Sequence, residues 1–275
     1  MDALEQSSES DPEDILSSSL GTLYDYTPIT HSSAGSVFTY KAPSDGPTIT
    51  LLTPDTQASN WHLHASSIWV SALFLADHLA ELQLPPPPNP ICVLELGASA
   101  GLPGILLAKT HEHARVTVSD YPDEELLRAL SENVARNGVG ERCRAVPYAW
   151  GTNPALLLSK YPVSSLGYDV VIAADTLWNP ELHPLFIESL TMSLRRTADA
   201  RVHLVAGLHT GRYTVESFLK AVQIAGLDVV SATERAVEGD NSRSWSVSRA
   251  EGEDERERRK WVVWIVLRWN MSLLL

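Results

Sequence analysis

The chain has 275 residues, of which 44% are apolar and 20% charged, so it can bury a sizeable core and wholesale disorder is excluded. The formal net charge of −13 argues against nucleic acid or an anionic membrane surface as the main partner. The two cysteines form neither a disulfide framework nor a metal-ligand pattern, which indicates a reducing, cytoplasmic location and no metal site.

The first 60 residues are predicted to precede the main domain. Residues 1–19, rich in Ser, Asp and Glu, are expected to form a disordered acidic leader, and no signal or transit peptide is recognisable there. Residues 20–60 are expected to be an N-terminal extension, with strands near Ser36–Tyr40 and Thr48–Leu52. The longest apolar run, Trp261–Leu267, is too short to cross a bilayer.

From residue 61 onwards, amphipathic segments alternate with short apolar runs, as is typical of helices and buried strands. An amphipathic helix is predicted over Ser66–Leu82, followed by a proline-rich extended connector that begins at Pro85. The predicted strands are Ile91–Leu96, Arg115–Ser119, Arg144–Tyr148, Asp169–Ala174, Arg201–Ala206, Leu227–Ala232 and Trp261–Trp269. The predicted helices among them are Pro103–Lys109, Asp123–Asn137, Pro154–Ser159, Pro180–Arg196 and Val215–Ala225.

This alternation predicts an α/β fold over residues 61–275: a seven-stranded, mostly parallel, doubly wound sheet of Rossmann-like type with one antiparallel strand. The last two strands follow one another without a helical pattern between them. The charge-dense residues 237–260 are therefore predicted to form a solvated loop at the edge of the sheet.

The first candidate site is the segment Glu95–Gly104, directly after the first strand of the alternating pattern. Gly97 and Gly101 permit a tight turn and a close ligand approach, and free backbone N–H groups there can meet a polar ligand. Ser99 and Leu102 occupy positions that a dinucleotide fingerprint reserves for glycine, so a pyrophosphate cradle is disfavoured. A plain strand-to-helix turn is the alternative interpretation.

The same segment also matches the G-x-S-x-G pattern of α/β hydrolases, with Ser99 as the nucleophile. Asp175 and either His203 or His209 follow in the chain order that this fold uses. No HGGG-like oxyanion segment precedes the turn, and the hydrolase interpretation leaves the features described next unexplained.

Asp120 closes the second strand of this pattern, some two dozen residues beyond the glycine turn. A carboxylate at that point can accept hydrogen bonds from both hydroxyls of a ribose. The alternative role is a cap for the following helix, for which Asp123 would serve as well.

Trp150 follows the third strand and lies beside Gly151. A flat indole beside a loop glycine can form one wall of a slot for a purine, although burial in the core is the simpler alternative. Trp69, near the start of the helix before the proline-rich connector, is similarly open to either interpretation.

Ala174, Asp175 and Trp178 come at the end of the fourth strand. Asp175 could orient an amine, and the face of Trp178 could hold a cationic nitrogen. Helix capping is the alternative role for this segment, with Asn179 the better candidate. His209, after the fifth strand, is a further candidate for facing the acceptor, although a lone histidine in a loop is more often structural.

Taken together, these blocks resemble class I S-adenosylmethionine-dependent methyltransferases, in which the acid-Leu-Gly-x-x-x-Gly turn and the acids after the second and fourth strands occur in this order. More narrowly, the chain is similar to the fungal methyltransferases that modify the N-terminus and adjacent lysine of translation elongation factor 1-alpha, also labelled nicotinamide N-methyltransferase-like. The residues behind the narrower match are Ser19–Asp25, Ile68–Trp69, Leu94–Ala98, Ser119–Pro122, Tyr148–Gly151, Asp175–Asn179 and Lys260–Trp269.

The resemblance implies S-adenosyl-L-methionine as cofactor and a Rossmann-like methyltransferase fold. It implies that the cofactor site is lined by Trp69, Gly97, Ala98, Ser99, Asp120, Trp150 and Ala174. Asp175 and Trp178 would contact the substrate, and Trp178 stands where related lysine methyltransferases carry Phe or Tyr. Ser99 departs from the commoner small residue.

The implied activity is transfer of a methyl group to an amine of a protein, with elongation factor 1-alpha as the expected partner and a monomer as the expected state. No catalytic residue is assigned. Two alternatives stay open beside the hydrolase: a methyltransferase acting on a small nicotinamide-like molecule, and a non-catalytic methyltransferase-like binding module.

Overall fold

The computed structural model describes residues 29–82, 84, 90–159 and 167–274. The acidic leader predicted for residues 1–19 and the connector at residues 85–89 lie outside the described residues. The strands are β1 Val37–Lys41, β2 Thr48–Leu52, β3 Ile91–Leu96, β4 Ala114–Asp120, β5 Cys143–Pro147, β6 Val170–Ala174, β7 Arg201–Gly207, β8 Leu227–Ala236, β9 Ser242–Ser244 and β10 Trp261–Trp269. The α-helices are α1 Val70–Asp77, α2 Leu102–Thr110, α3 Glu124–Arg136, α4 Ala155–Leu158, α5 His183–Ser193, α6 Arg212–Ile224 and α7 Glu255–Arg259.

The main sheet has the strand order β5-β4-β3-β6-β7-β10-β8-β9. The strands from β5 to β7 in this order are parallel, whereas β10 runs antiparallel to both of its neighbours. All six residues of β3 are buried, because the sheet carries a hydrophobic core on each face. The predicted α/β, mostly parallel, doubly wound architecture is confirmed.

The predicted number of seven strands is wrong, because the main sheet has eight. The eighth, β9, pairs antiparallel with β8 and lies within residues 237–260, which also contain helix α7. This segment was predicted to be a loop because it has no hydrophobic periodicity. It is held by ion pairs instead: the fully buried guanidinium of Arg212 donates to the carboxylates of Glu234 and Glu253.

Two helix starts are set by side-chain caps, as the sequence suggested. The Asp123 carboxylate accepts a hydrogen bond from the Leu126 N–H at the start of α3. The Asn179 side chain accepts one from the Glu181 N–H, where a short 3-10 turn leads into α5. Helix α1 is shorter than the predicted span and begins just after Trp69.

The extension before residue 60 contains a separate hairpin of β1 and β2, close to the predicted strands. It packs against α3 through two asparagines: Asn133 Oδ1 accepts from the Leu52 N–H at 2.7 Å, and Asn137 Oδ1 from the Thr50 N–H at 3.1 Å. In the part of the chain that the structure covers, no helix has the length and apolarity needed to cross a membrane.

Candidate functional site

A cavity of about 340 Å³ opens at the carboxyl ends of β3, β4 and β6. This is the point at which successive strands of the chain are added to opposite sides of β3, and it is where open α/β sheets bind ligands. The lining includes nine of the ten residues predicted from the sequence: Trp69, Gly97, Ala98, Ser99, Asp120, Trp150, Ala174, Asp175 and Trp178.

The glycine turn forms the floor of the cavity between β3 and α2. Gly97 has a φ of 67°, and a Cβ added there would lie 2.9 Å from Thr176 Cγ2 and 3.3 Å from Trp150 Cζ2. Gly101 caps α2 with a φ of 85°. Both positions favour glycine because their φ angles are positive. Gly97 lines the cavity, so the backbone there can approach a ligand without a side chain in between, whereas a Cβ at Gly101 would meet Leu130 and Ile105 of the core.

The Asp120 carboxyl group, at the end of β4, points back into this turn. Its Oδ2 accepts a hydrogen bond of 2.6 Å from the Ser99 N–H, and its Oδ1 accepts one of 2.7 Å from the Tyr121 N–H. Burial raises the pKa of Asp120 to about 6, even though the two N–H groups favour the ionised form. Each oxygen keeps a further lone pair for a hydroxyl group. Because Asp123 caps α3, Asp120 is free of the capping role.

Glu95, on the neighbouring strand, also lines the cavity but was not assigned a role from the sequence. Its side chain is fully buried, and Oε2 accepts a hydrogen bond of 2.9 Å from the Gly104 N–H. Burial raises the pKa of Glu95 to about 8 and the charge of Asp120 adds to the increase. The signal for it was present in the sequence, since Glu95 is the acid of the acid-Leu-Gly turn that carries the family resemblance.

Trp150 lies between the core and the cavity. Its ring packs against Phe186, with centroids 4.7 Å apart, while the side chain lines the cavity beside Gly97. Tyr148, two residues earlier, is buried, lines the same wall and was not predicted as a site residue.

Trp69 lies at the cap position of α1 and lines the opposite side of the cavity. Its indole Nε1 donates to the His64 carbonyl at 2.8 Å. The His209 imidazole stacks on the indole at 5.4 Å with an angle of 22° between the rings. His209 thus contacts Trp69 but is not among the residues that line the cavity, unlike the other nine residues predicted from the sequence.

Asp175 follows β6 in a left-handed conformation, with a φ of 52°. Its Oδ1 accepts a hydrogen bond of 2.7 Å from the Gly207 N–H, whereas its buried Oδ2 has no partner among the residues that the structure describes. Strained backbone and an unpaired buried acceptor are costly, and both are characteristic of functional sites. Nearby Trp178 packs edge to face with His64 at 4.9 Å.

The hydrolase interpretation of Ser99 does not fit these contacts. The Ser99 hydroxyl donates to the Ala65 carbonyl at 2.6 Å. The buried His203 imidazole accepts from the Trp264 indole at 3.3 Å, and His209 stacks on Trp69. The nucleophile and base of a hydrolase would have to contact each other.

The strand order and the position of the cavity define an open, doubly wound, Rossmann-like α/β fold with a cavity at the carboxyl ends of its parallel strands. A family model described as lysine methyltransferase matches residues 53–224, which is more than half of the chain. The chain therefore belongs to the lysine methyltransferase family.

Three relatives show the range of similarity. The chain is 32% identical to "Protein N-terminal and lysine N-methyltransferase efm7" of Schizosaccharomyces pombe over 52% of this chain and 55% of that protein. It is 26% identical to the EFM7 protein of Gibberella zeae, over 78% of this chain and 82% of that protein. It is 31% identical to "EEF1A lysine methyltransferase 3" of Xenopus tropicalis, over 46% of this chain and 51% of that protein. The chain thus spans about half the length of the first and third of these relatives.

Proposed function

We propose that this chain is an S-adenosylmethionine-dependent protein N-methyltransferase that modifies the N-terminal amine, a nearby lysine, or both, of translation elongation factor 1-alpha. The observation that carries the proposal is the Asp120 carboxylate, buried at the end of β4 and turned into the glycine bend at 2.6 Å from the Ser99 nitrogen. We further propose that the protein acts as a cytoplasmic monomer, which agrees with two buried, free cysteines.

The cavity fits a nucleoside-containing methyl donor. Asp120 would accept hydrogen bonds from the ribose hydroxyls, and Trp150 would provide a flat apolar wall for the adenine. Gly97 would let the remainder of the cofactor lie next to the backbone, since this residue lines the cavity and carries no side chain. When bound, S-adenosylmethionine supplies an electrophilic methyl group on a sulfonium, so the protein has only to orient the reactants and exclude water.

The acceptor amine must be uncharged to attack the methyl group. An α-amine, with an ordinary pKa near 7.7–8.0, loses its proton more readily than a lysine near 10.4. Asp175 lines the cavity, and its carboxylate would accept an N–H of the amine once the buried Oδ2, which has no partner among the described residues, turns toward the cavity. This contact would hold the nitrogen lone pair in a fixed direction. We assign Asp175 this orienting role and assign no general base.

The choice of acceptor is supported by the names of the relatives and by charge. One relative is named for lysine methylation of EEF1A, and others for methylation of a protein N-terminus and of lysine. The net charge of −13 on this chain favours the approach of a basic segment of a protein substrate.

Two measurements test the proposal in sequence. Calorimetry with S-adenosylhomocysteine should show binding by the purified chain, and its absence would favour a non-catalytic module. Transfer of a labelled methyl group should then be measured with purified elongation factor 1-alpha and with nicotinamide in parallel. Labelling of the protein alone supports the proposal, whereas labelling of nicotinamide alone would overturn it in favour of a small-molecule enzyme.

A further inference from the structure

Residues 57–65 form a short segment at the opening of the cavity, which we call the strap. It contains a 3-10 helix, Ala58–Leu63, and its last residues His62, Leu63, His64 and Ala65 line the cavity. His62 and His64 are exposed even though they line the cavity, which places the strap at the rim. No residue of the strap was among the sites predicted from the sequence.

The first part of the strap is tied to the end of β4. The Asp123 carboxylate, besides capping α3, accepts hydrogen bonds from the Gln57 N–H at 3.2 Å and from Asn60 Nδ2 at 2.7 Å. This carboxyl group is three residues from Asp120, so the start of the strap is fixed to the strand end that carries the proposed ribose ligand.

The last part of the strap is held by two residues of the proposed cofactor site. The Ser99 hydroxyl donates to the Ala65 carbonyl at 2.6 Å, and the Trp69 indole donates to the His64 carbonyl at 2.8 Å. The hydroxyl of Ser99 thus holds the end of the strap in this chain. These two hydrogen bonds fix the carbonyl groups of His64 and Ala65. They therefore also fix the backbone that carries the His64 side chain.

His64 has a left-handed backbone, with φ 53° and ψ 27°, which directs its ring across the rim. The imidazole packs edge to face with Trp178 at 4.9 Å and lies 6.2 Å from the Trp69 ring at 88°. Trp178 comes from the segment after β6 and Trp69 from the start of α1. The ring of His64 therefore joins aromatic groups from two separate parts of the chain.

We propose that His64 is a specificity-determining residue for the acceptor, an inference that rests on the proposed function. His64 and Trp178 meet edge to face, with 89° between the ring planes, and form the two perpendicular sides of one aromatic wall. Asp175, whose Oδ2 has no partner among the described residues, lies three residues before Trp178 in the same lining. An aromatic wall combined with a carboxylate recognises a cationic amine through its π-faces and one accepted hydrogen bond. The acceptor class that fits is a protonated amine on a protein, bound before it loses its proton.

The test removes the ring of His64 while keeping the backbone conformation at this position. Asn tolerates the left-handed conformation, so His64→Asn keeps the course of the strap and removes only the His64 ring from the aromatic wall. His113→Asn, at the opposite, amino-terminal end of β4, is the matched control. With elongation factor 1-alpha as acceptor, we expect His64→Asn to raise KM by roughly three- to ten-fold, the value of one aromatic contact. The kcat and the Kd for S-adenosylhomocysteine should change by less than about two-fold.

A double-mutant cycle with Trp178→Leu provides the second measurement. If the two rings act as one wall, the KM of the double variant will be close to that of the more affected single variant. Simple multiplication of the two effects, an unchanged KM in His64→Asn, or a parallel loss of S-adenosylhomocysteine binding would each overturn the assignment. Failure of the wild-type chain to methylate any protein would instead overturn the proposed function, and the assignment with it.

Discussion

The carboxyl groups of Glu95 and Asp120 lie on the adjacent parallel strands β3 and β4, and both face the cavity. Burial raises the pKa of Glu95 to about 8 and that of Asp120 to about 6. At pH 7 Glu95 therefore keeps its proton, while Asp120 is ionised and can accept hydrogen bonds from hydroxyl groups. Two neighbouring acids thus have different charge states in one site.

Replacement of Asp120 by Asn is expected to weaken the binding of S-adenosylhomocysteine by about 10- to 100-fold. A hydrogen bond to a charged group contributes about 1.5–3 kcal/mol, and an amide supplies a weaker acceptor and an unwanted donor. Calorimetry measures the change directly. Asp240→Asn, at an exposed position, should bind like the wild type, and equal affinity of the two variants would exclude Asp120 as the ribose ligand.

The affinity for S-adenosylhomocysteine is expected to fall as the solution becomes more acidic than pH 6. Binding requires the ionised form of Asp120, whose pKa is about 6, so protonation competes with the ligand below that value. Well below pH 6 the Kd should rise about ten-fold per pH unit. A titration series from pH 8 to pH 5 tests this, with Asp120→Asn as the variant in which the dependence should disappear.

Glu95→Gln is expected to remove a pH dependence of stability. The pKa of Glu95 is higher in the folded chain, about 8, than its ordinary value of 4.5, so its contribution to stability is full below pH 4.5 and is lost as pH rises through about 8. The stability of the wild type relative to Glu95→Gln should therefore fall by about 4 kcal/mol between pH 5 and pH 8.5. Urea unfolding at both pH values measures it. The exposed Glu181→Gln serves as control, and a constant difference would contradict the raised pKa.

Asp175→Asn is expected to reduce methyl transfer while leaving cofactor binding intact. Asn can still accept the hydrogen bond from the Gly207 N–H through its oxygen, but it then presents an N–H donor in place of Oδ2. We expect kcat/KM for the protein acceptor to fall by on the order of 100-fold, with the Kd for S-adenosylhomocysteine within about three-fold of the wild-type value. Comparable losses in both quantities would mean that Asp175 supports the cofactor instead of the acceptor.

Arg212→Met is expected to destabilise the chain by about 3–5 kcal/mol, because it leaves the Glu234 and Glu253 carboxylates without their main buried partner. The matched control is Arg128→Met, which breaks exposed pairs with Glu125 and Glu132 and should cost no more than about 1 kcal/mol. Thermal unfolding of both variants gives the comparison. Similar losses would show that the buried network does not hold the segment between β8 and β10.

The positions of Gly97, Asp120 and Asp175 could be predicted from the sequence because each lies at the end of a predicted strand. Strand ends are local features of the pattern, and the carboxyl ends of parallel strands meet at one edge of a sheet. A residue placed just after a strand is therefore placed in the site by the topology alone. Trp150 and Trp178 follow the same rule, and both line the cavity as expected.

The strap and the eighth strand could not be predicted in this way. The strap is positioned by hydrogen bonds between residues far apart in the chain, such as Ser99 with Ala65 and Asp123 with Gln57. Strand β9 has only three residues. It pairs with β8 beside Glu234, which forms a buried ion pair with Arg212. Such contacts leave no periodic signal, since periodicity reports only which side chains of one element face the core.

Apolar periodicity, the glycine turn and the acids at strand ends were sufficient to determine the α/β class, the mostly parallel order of the sheet, the edge at which the cavity opens and the family resemblance. Tertiary structure alone decided the charge states of Glu95 and Asp120, the stacking of His209 behind Trp69, and the contact of His64 with Trp178. The physical reason is that burial and side-chain contact depend on elements distant in sequence. A shifted pKa or a pocket wall therefore arises only when those elements have packed together.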